Sequence, residues 1–365
     1  MPPRGAQESP RNTQASPAHD DEPAATRAAV TEPAAFRAAL AAIRPSIVKI
    51  ETIGGALPTR RAGEGDQEVA APAFRQADGP TTGVVWSAEG LIVTSSFNFM
   101  RDPSVITVTL ADGRRLLARL VARDRPARLA LLKVDTADLT APRLAPRGEL
   151  RAGQRALAAG WGFGGDAPAV SAGVVSAVRR ISGLAVQTDA KVSPANYGGP
   201  LFDLDGRLIG VCVPMAADDD ELAGVEWYDS GIGFAVASDA LEGRVARLRE
   251  GRDLQRGLLG VTFDAREIVV GAAPTTQPTD GLRVSTPTRG RAAEAGLREG
   301  DVVTAVSGEP VRRLVDLRRR LAMFVAGEPV EVELRRGAER LKLSITLSSP
   351  EELRATSQPT TREGP

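Results

Sequence analysis

Short apolar runs separated by turn residues recur along most of this 365-residue chain. Runs of this length bounded by turn signals such as Asp112-Gly113 are typical of β-strands. About six runs form each of two sets, at 47–50, 83–86, 91–94, 105–110, 115–121 and 129–134, and at 155–159, 170–178, 184–188, 200–202, 208–213 and 233–236. Glycine and proline number 37 and 26, while aromatic residues make up 4%, which also favours strands and turns. The pattern predicts a mainly β fold made of two barrels or a sandwich.

The composition argues against several classes of function. The 46 basic and 46 acidic side chains give no net charge, so the balance does not indicate nucleic-acid binding. A single cysteine, Cys212, excludes an internal disulfide and a cysteine-based zinc cluster. The only histidine is His19, so a histidine base or a histidine-ligated metal would have to use a residue near the N-terminus. We therefore expect no metal and no cofactor.

The two ends of the chain differ from its middle. Residues 1–33 and 349–365 have little aliphatic periodicity, so we expect two disordered tails, with His19 as a solvated residue of the first. No apolar run of about 18 residues occurs, which predicts that no helix spans a membrane. No apolar run of signal-peptide length follows Met1. Either the chain is soluble inside the cell or its leader has been removed.

Two predicted helices flank the strand-rich region. The first covers 36–43, and the second begins at Ser238-Asp239, with an Asp at or next to its N-cap, and runs to about 249. A polar linker at 252–256 then separates a second unit. That unit is predicted to hold strands at 258–263, 282–285, 302–306, 330–334 and 342–347, helices at 292–295 and 314–324, and a Pro- and Thr-rich loop at 271–280. The predicted divisions are therefore 1–33, 34–250, 256–348 and 349–365.

One long segment carries a family resemblance. Residues 186–210 read VQTDAKVSPANYGGPLFDLDGRLIG and resemble the nucleophile region of the HtrA family of trypsin-like serine proteases. Residues 157–164 and 231–236 are similar to further landmarks of that family, and the segments at 256–261 and 292–303 resemble its PDZ domain. The resemblance covers about 36–347. It implies two six-stranded antiparallel β-barrels followed by an α+β PDZ domain, and a location in the cell envelope, the periplasm.

The same alignment places other residues at all three positions of the family's catalytic triad. Tyr197 stands in the motif Ala195-Asn196-Tyr197-Gly198-Gly199-Pro200, where the family has serine. Phe97 stands at the position of the histidine, and Arg128 at that of the aspartate. Ala195 occupies the position of the glycine that helps to bind the oxyanion.

These replacements remove the chemistry that the family uses. A triad needs a hydroxyl nucleophile, an imidazole that takes its proton and a carboxylate that orients the imidazole. Phe97 accepts no proton, Arg128 reverses the local charge, and the phenol of Tyr197 has a pKa near 10 in its ordinary state. We expect Phe97 and Tyr197 to pack together as an aromatic plug. A dyad of Ser193 with Lys191 is the remaining route to catalysis.

The PDZ-like unit keeps the residues that peptide binding requires. Leu258, Leu259, Gly260 and Val261 resemble the loop whose backbone amides capture a peptide C-terminus, while the peptide adds as a strand to the neighbouring sheet edge. Three leucines at helical spacing are predicted to wall the groove or to belong to the core, namely Leu314, Leu317 and Leu321. A basic run lies on the same helix and is interpreted as a solvated face, namely Arg312, Arg313, Arg318, Arg319 and Arg320.

Three functions remain open at this point. The first is a pseudoprotease that binds peptide segments or protein C-termini through its PDZ domain in protein quality control. The second is an active serine endopeptidase of the HtrA type with unconventional catalytic residues. The third is a regulatory subunit of active HtrA paralogues. The partners implied are peptides or protein C-termini, together with a homo-oligomer or an assembly with active paralogues. Nucleic acid and a membrane span are not expected.

Overall fold

A computed structural model describes residues 31–55, 80–162, 165–181, 183–215, 230–264, 281–285 and 290–357. His19 and the whole of the loop predicted at 271–280 lie outside these ranges. No helix within the described part of the chain is long and apolar enough to cross a membrane.

The first set of strands closes into a barrel. Its six strands, all paired antiparallel, are β1 (Ile47–Ile53), β2 (Thr81–Val85), β3 (Leu91–Ser95), β4 (Val105–Thr109), β5 (Arg115–Asp124) and β6 (Leu129–Val134). Around the barrel they follow the order β1-β2-β3-β6-β5-β4. The barrel closes because β1 pairs with both β2 and β4, which leaves no open sheet edge.

The second set forms a second closed barrel. Its antiparallel strands are β7 (Arg155–Gly160), β8 (Ala169–Arg180), β9 (Ala185–Thr188), β10 (Pro200–Phe202), β11 (Leu208–Cys212) and β12 (Gly233–Ala237). Their order is β10-β11-β12-β9-β8-β7. The prediction of two six-stranded barrels is confirmed, and the alternative of a sandwich is wrong.

Two helices cover the seam between the barrels. Helix α1 (Glu32–Ile43) and helix α2 (Ser238–Leu248) bury apolar side chains in one core cluster that contains residues of both barrels. This burial explains why both helices form, since their apolar residues recur at helical spacing. Asp239 lies in the first turn of α2, whereas the N-cap is Ala237. Its carboxylate accepts a hydrogen bond from Arg147 Nη2 at 2.6 Å.

The C-terminal unit combines a five-stranded sheet with three helices among the described residues. Its strands are β13 (Leu282–Arg283), β14 (Val302–Val306), β15 (Glu309–Pro310), β16 (Pro329–Arg336) and β17 (Glu339–Thr346). Its helices are α3 (Gly290–Glu294), α4 (Leu314–Leu321) and α5 (Pro350–Ser357). Strands β13, β14, β16 and β17 are adjacent in that order, and β15 pairs with β14. The unit has a hydrophobic core of its own.

The structure corrects two of the predictions for this unit. Residues 258–263, predicted as a strand, make only isolated bridges, between Leu258 and Ser348 and between Phe263 and Val284. A left-handed Gly260, with φ of 73°, interrupts the extended backbone there. The tail predicted as disordered from 349 instead begins with helix α5. Ser349 and Glu352 form a reciprocal capping box at its start, with N–O distances of 2.9 and 3.1 Å.

Candidate functional site

Phe97 and Tyr197 meet at the junction of the two barrels. Phe97 lies on the short 3-10 helix Ser96–Phe99 that follows β3, and its N–H donates to Ser95 Oγ at 3.3 Å. Tyr197 lies in the turn before β10. The ring centroids are 5.4 Å apart and the planes are inclined by 79°, an edge-to-face contact. Both side chains are 4% exposed, so the predicted packing of Phe97 against Tyr197 is confirmed.

Arg128 adjoins this pair through its backbone. It precedes β6 and has a left-handed φ of 56°, which is uncommon for a residue other than glycine. Its carbonyl oxygen accepts the Ser96 N–H at 2.8 Å and the Ser95 hydroxyl at 3.2 Å. The three positions that the family resemblance singles out, 97, 128 and 197, therefore belong to one local structure.

A buried polar network that the sequence analysis missed ties the two barrels together here. Asn98, fully buried, donates from Nδ2 to Thr94 Oγ1 at 3.0 Å and to the carbonyl oxygen of Tyr197 at 3.2 Å. The Thr94 hydroxyl donates to the Thr82 carbonyl at 2.6 Å, and the Thr82 hydroxyl donates to the Ala195 carbonyl at 2.9 Å. The only signal in the sequence was a polar residue between Phe97 and Phe99.

The turn that carries Tyr197 approaches the first barrel very closely. At Gly198, with φ of 88°, an added Cβ would lie 2.2 Å from the Thr82 carbonyl oxygen and from Thr94 Oγ1. A side chain larger than hydrogen therefore does not fit at this point. The close approach fixes the position of the neighbouring Tyr197.

The backbone at the oxyanion position is engaged within its own turn. In a serine protease the amide of the nucleophile is one of the two donors that stabilise the oxyanion. Here the N–H of Tyr197 donates to the Pro194 carbonyl oxygen at 3.3 Å, and the N–H of Asn196 donates to that of Ser193 at 2.8 Å. The position of Ala195 packs tightly, since a Cβ on Gly162 would lie 2.5 Å from its methyl group.

Ser193 and Lys191, which the sequence offered as a dyad, make other contacts. The Ser193 hydroxyl donates to Asn196 Oδ1 at 3.1 Å, and the Ser193 N–H donates to the same oxygen at 3.1 Å. Lys191 is exposed, and its backbone carbonyl accepts the Ser171 hydroxyl at 2.6 Å. The hydroxyl of Ser193 thus serves the turn that contains Tyr197.

The loop at 258–261 presents backbone donors. Leu258 is anchored to Ser348 by two backbone hydrogen bonds of 2.9 Å, and Leu259 is buried in the core of the C-terminal unit. Within the described residues, none of the N–H groups of Leu259, Gly260 and Val261 donates to another group. Three successive amides without an acceptor are suited to bind an anion such as a peptide carboxylate.

Helix α4 contributes its three leucines differently. Leu317 and Leu321 are buried in the same core cluster as Leu259, whereas Leu314 is 36% exposed. Arg318, Arg319 and Arg320 of the basic run lie on this helix, and Arg312 and Arg313 directly precede it. Arg312, Arg313, Arg318 and Arg319 are exposed, as predicted for a solvated face, whereas Arg320 is half-buried and pairs with Glu309.

Comparisons with known proteins agree with both parts of the fold. Residues 81–211 match the trypsin-like peptidase domain family, and residues 257–347 match the PDZ domain family. The chain is 30% identical to the periplasmic pH-dependent serine endoprotease DegQ of Escherichia coli over 321 residues. This alignment covers 84% of this chain and 69% of DegQ. A probable periplasmic serine endoprotease DegP-like of Pseudomonas fluorescens is 31% identical over 303 residues, 81% of this chain. The chain spans 60% of the length of that relative.

Solved structures give the same result. The HtrA-type protease AlgW with a tripeptide superimposes with a TM-score of 0.62 at 27% identity, over 86% of this chain and 96% of that one. The serine endoprotease from Yersinia pestis shares the fold at 23% identity, with a TM-score of 0.59 over 86% of this chain and 97% of that one. Two closed barrels joined to a PDZ domain define the class of trypsin-like, PDZ-containing proteases and their homologues. Within that class, the chain belongs to the HtrA family.

Proposed function

We propose that this protein is a non-catalytic HtrA homologue that binds protein C-termini or peptide segments through its PDZ domain. The aromatic contact between Phe97 and Tyr197 carries the first half of the proposal, because it fills the junction of the barrels where the family performs its chemistry. The amides of Leu259, Gly260 and Val261, which donate to no other group among the described residues, carry the second half.

The side chains at the three triad positions support the loss of catalysis. An aromatic hydrocarbon at 97 takes no proton, and a guanidinium at 128 does not stabilise a neighbouring cation as a carboxylate does. Loss of the nucleophile or of the base alone removes most of the rate of a triad enzyme, because its members act as a unit. The bond from the Tyr197 amide to Pro194 also occupies a donor that oxyanion binding would need.

The relatives support a role in protein quality control in the cell envelope. Several of them are named as periplasmic endoproteases, and one solved HtrA-type protease is described with a decapeptide. A protein that recognises exposed C-termini without cleaving them would hold or mark damaged chains. We propose the envelope as its location.

The binding half is tested with one peptide in two forms. Isothermal calorimetry on the full chain compares a peptide that has a free hydrophobic C-terminus with its C-terminally amidated twin. Hydrogen bonds to a charged group contribute about 1.5–3 kcal/mol, so the free acid should bind at least about tenfold more tightly. Equal affinities, or no binding of either form, would contradict the proposal.

A pair of glycine variants localises the effect. Gly260 and Gly308 both lie in the same unit with left-handed backbone, at φ of 73° and 76°. Gly260→Val should abolish the difference between the acid and the amide, because it distorts the loop. Gly308→Val carries the same backbone strain elsewhere and should leave the difference intact.

A further inference from the structure

We propose that the PDZ groove prefers C-termini with an acidic side chain among their last four residues, and that Arg318 on α4 determines this preference. The inference rests on the proposed function, because it names the class of peptide that the same groove takes.

The C-terminal end of α4 lies beside the loop that presents free amides. Val325, four residues beyond the helix, forms an antiparallel bridge with Arg256. The N–H of Ala326 donates to the Gln255 carbonyl oxygen at 3.0 Å, and a Cβ on Gly257 would lie 3.0 Å from the Val325 carbonyl oxygen. Gln255, Arg256 and Gly257 directly precede Leu258. The last turn of α4, which contains Arg318, is therefore the part of the helix nearest the loop at 258–261.

The faces of α4 distinguish its arginines. Each residue rotates by about 100° around the helix, and the buried Leu317 and Leu321 mark the face that points inward. Arg320 lies on one flank and pairs with Glu309 at 2.7 Å. On that helical wheel Leu314 and Arg318 lie together on the opposite flank, and Arg319 points outward. Leu314 and Arg318 are thus the α4 residues on the flank turned away from the β14-β15 hairpin, and we assign this flank to the groove.

Ion pairing distinguishes Arg318 from Arg313 and Arg320, whereas Arg319 on the outward face is likewise without a carboxylate partner among the described residues. Arg313 pairs with Asp316 at 3.4 Å, and Arg320 pairs with Glu309. Within the described part of the chain, Arg318 has no carboxylate within 4.0 Å. Its guanidinium is available to an acidic group supplied by a peptide.

The length of α4 determines which positions of a bound peptide lie alongside the helix. Eight residues of helix extend about 12 Å, which is the length of roughly four residues of an extended peptide. The C-terminal end of a helix carries a partial negative charge that disfavours an anion. Arg318 in the last turn offsets this charge close to the loop, so that acidic side chains near the peptide terminus are attracted instead of repelled.

The test uses the full chain and three synthetic peptides that end in the same hydrophobic residue. The peptides carry Glu, Gln or Lys at the second and third positions before the last residue, and each is also made with an amidated terminus. Fluorescence anisotropy should show the Glu peptide binding about fivefold more tightly than the Gln peptide at low salt, and the Lys peptide more weakly than both. The preference should shrink as the salt concentration rises, because salt screens exposed charges.

Three variants assign the effect. Arg318→Gln should remove the preference for Glu over Gln, and Arg318→Lys should retain part of it. Arg319→Gln makes the same change of charge one residue away on the outward face, and should retain the preference. Melting temperatures close to that of the parent chain show that each variant folds.

The outcomes separate this inference from the function on which it rests. If the free acids bind better than the amides but Glu, Gln and Lys peptides bind equally, the preference is refuted and the proposed function stands. If Arg319→Gln abolishes the preference as fully as Arg318→Gln does, the effect is a diffuse field, and the assignment to Arg318 is wrong. If no free acid binds better than its amide, the proposed function itself fails.

Discussion

At the scale of single residues, Tyr197 occupies the junction of the two barrels. Its side chain is buried, and its ring packs against that of Phe97 at a centroid distance of 5.4 Å. Asn98 holds the backbone of Tyr197 from the first barrel. The site has thus become a packed contact between the two barrels.

Truncation of the plug should lower the stability of the fold. Phe97→Ala removes a buried aromatic ring and should cost about 3–5 kcal/mol of unfolding free energy. In a double-mutant cycle with Tyr197→Ala, the coupling should be about 0.5–1.5 kcal/mol. Phe99→Ala is the matched control, because Phe99 is buried in the core of the first barrel and should not couple to Tyr197. Urea denaturation of the single and double variants measures these losses of stability and both couplings, and an absence of coupling between positions 97 and 197 would contradict the plug.

Cys212 gives a chemical test of the closed second barrel. Burial raises the pKa of its thiol to about 12. Because the thiolate is the reactive form, the folded protein should not react with iodoacetamide at pH 8, and the urea-unfolded protein should react with one equivalent. Mass spectrometry distinguishes the two, and rapid alkylation of the folded chain would show that β11 is accessible.

The residues of the junction were predictable to different degrees. Positions 97, 128 and 197 came from motifs that are continuous in sequence, and the aromatic contact followed from their side chains. Asn98 and Thr82 escaped notice because their role depends on partners in the other barrel, as in the bond from Thr82 to Ala195. Short sequence patterns carry no record of such long-range contacts.

At the scale of elements, α2 is fixed to the first barrel by a buried ion pair. Arg244 on α2 meets Asp124 at the end of β5 at 2.6 Å, and the two side chains are 8% and 0% exposed. The Asp124 carboxylate also accepts the N–H of Ala127 at 2.9 Å. The pair therefore holds the helix, the end of β5 and the turn before Arg128 in one arrangement.

Removal of one partner of this pair should be costly. Arg244→Met leaves Asp124 buried without its cation and should lower the unfolding free energy by about 3–5 kcal/mol. Arg247→Met, on the same helix but 43% exposed, should cost no more than about 1 kcal/mol. Chemical denaturation compares the two variants, and equal costs would refute the role given to the buried pair.

The PDZ unit contains a pair that makes its stability depend on pH. Burial alone would raise the pKa of Asp301, but two bonds of 2.8 Å from Arg336 and one of 2.8 Å from the Arg298 N–H outweigh it and lower the pKa. Since the pKa is lower in the folded state, the ionised carboxylate stabilises the fold above the ordinary Asp pKa of about 3.9. This stabilisation is lost as the pH falls through the lowered pKa.

A substitution at Asp301 should remove that dependence. Asp301→Asn should lower the melting temperature at pH 7. The difference in melting temperature between the variant and the parent chain should become smaller as the pH falls to about 3. Asp135→Asn changes a fully exposed carboxylate and should produce no such difference in melting temperature. Thermal melting at both pH values measures these differences. A difference between Asp301→Asn and the parent chain that becomes larger in acid would contradict the lowered pKa.

Sequence patterns located most elements of the fold but not all of their details. The twelve barrel strands were marked by apolar runs between turns, since each strand is buried on one or both sides. The strand expected at 258–263 was wrong, because the alternation of apolar residues gave no indication that Gly260 would adopt a left-handed backbone. Helix α5 was missed although Ser349 and Glu352 spell a capping box, because tail-like composition outweighed that local signal.

At the scale of the whole molecule, the plug and the peptide loop belong to separate cores. Phe97 and Tyr197 lie at the junction of the barrels, whereas Leu259 belongs to the core of the C-terminal unit. The linker between them is fastened to the first barrel, where the N–H of Leu254 donates to the Arg123 carbonyl at 2.9 Å and the N–H of Arg125 donates to that of Leu254 at 3.1 Å. Under the proposed function, a loss of proteolysis at the barrel junction therefore does not require a loss of peptide binding in the C-terminal unit.

Hydrolysis of unfolded casein decides whether this chain acts as a protease. Fluorescein-labelled casein is incubated with the purified full chain, beside an active HtrA protease in the same buffer, and a fluorophosphonate probe is applied to both. We expect peptide release no faster than in buffer alone and no labelling of the chain, while the active relative cleaves casein and is labelled. Casein cleavage that rises in proportion to the concentration of this chain, together with fluorophosphonate attached to one of its serines, would contradict the account.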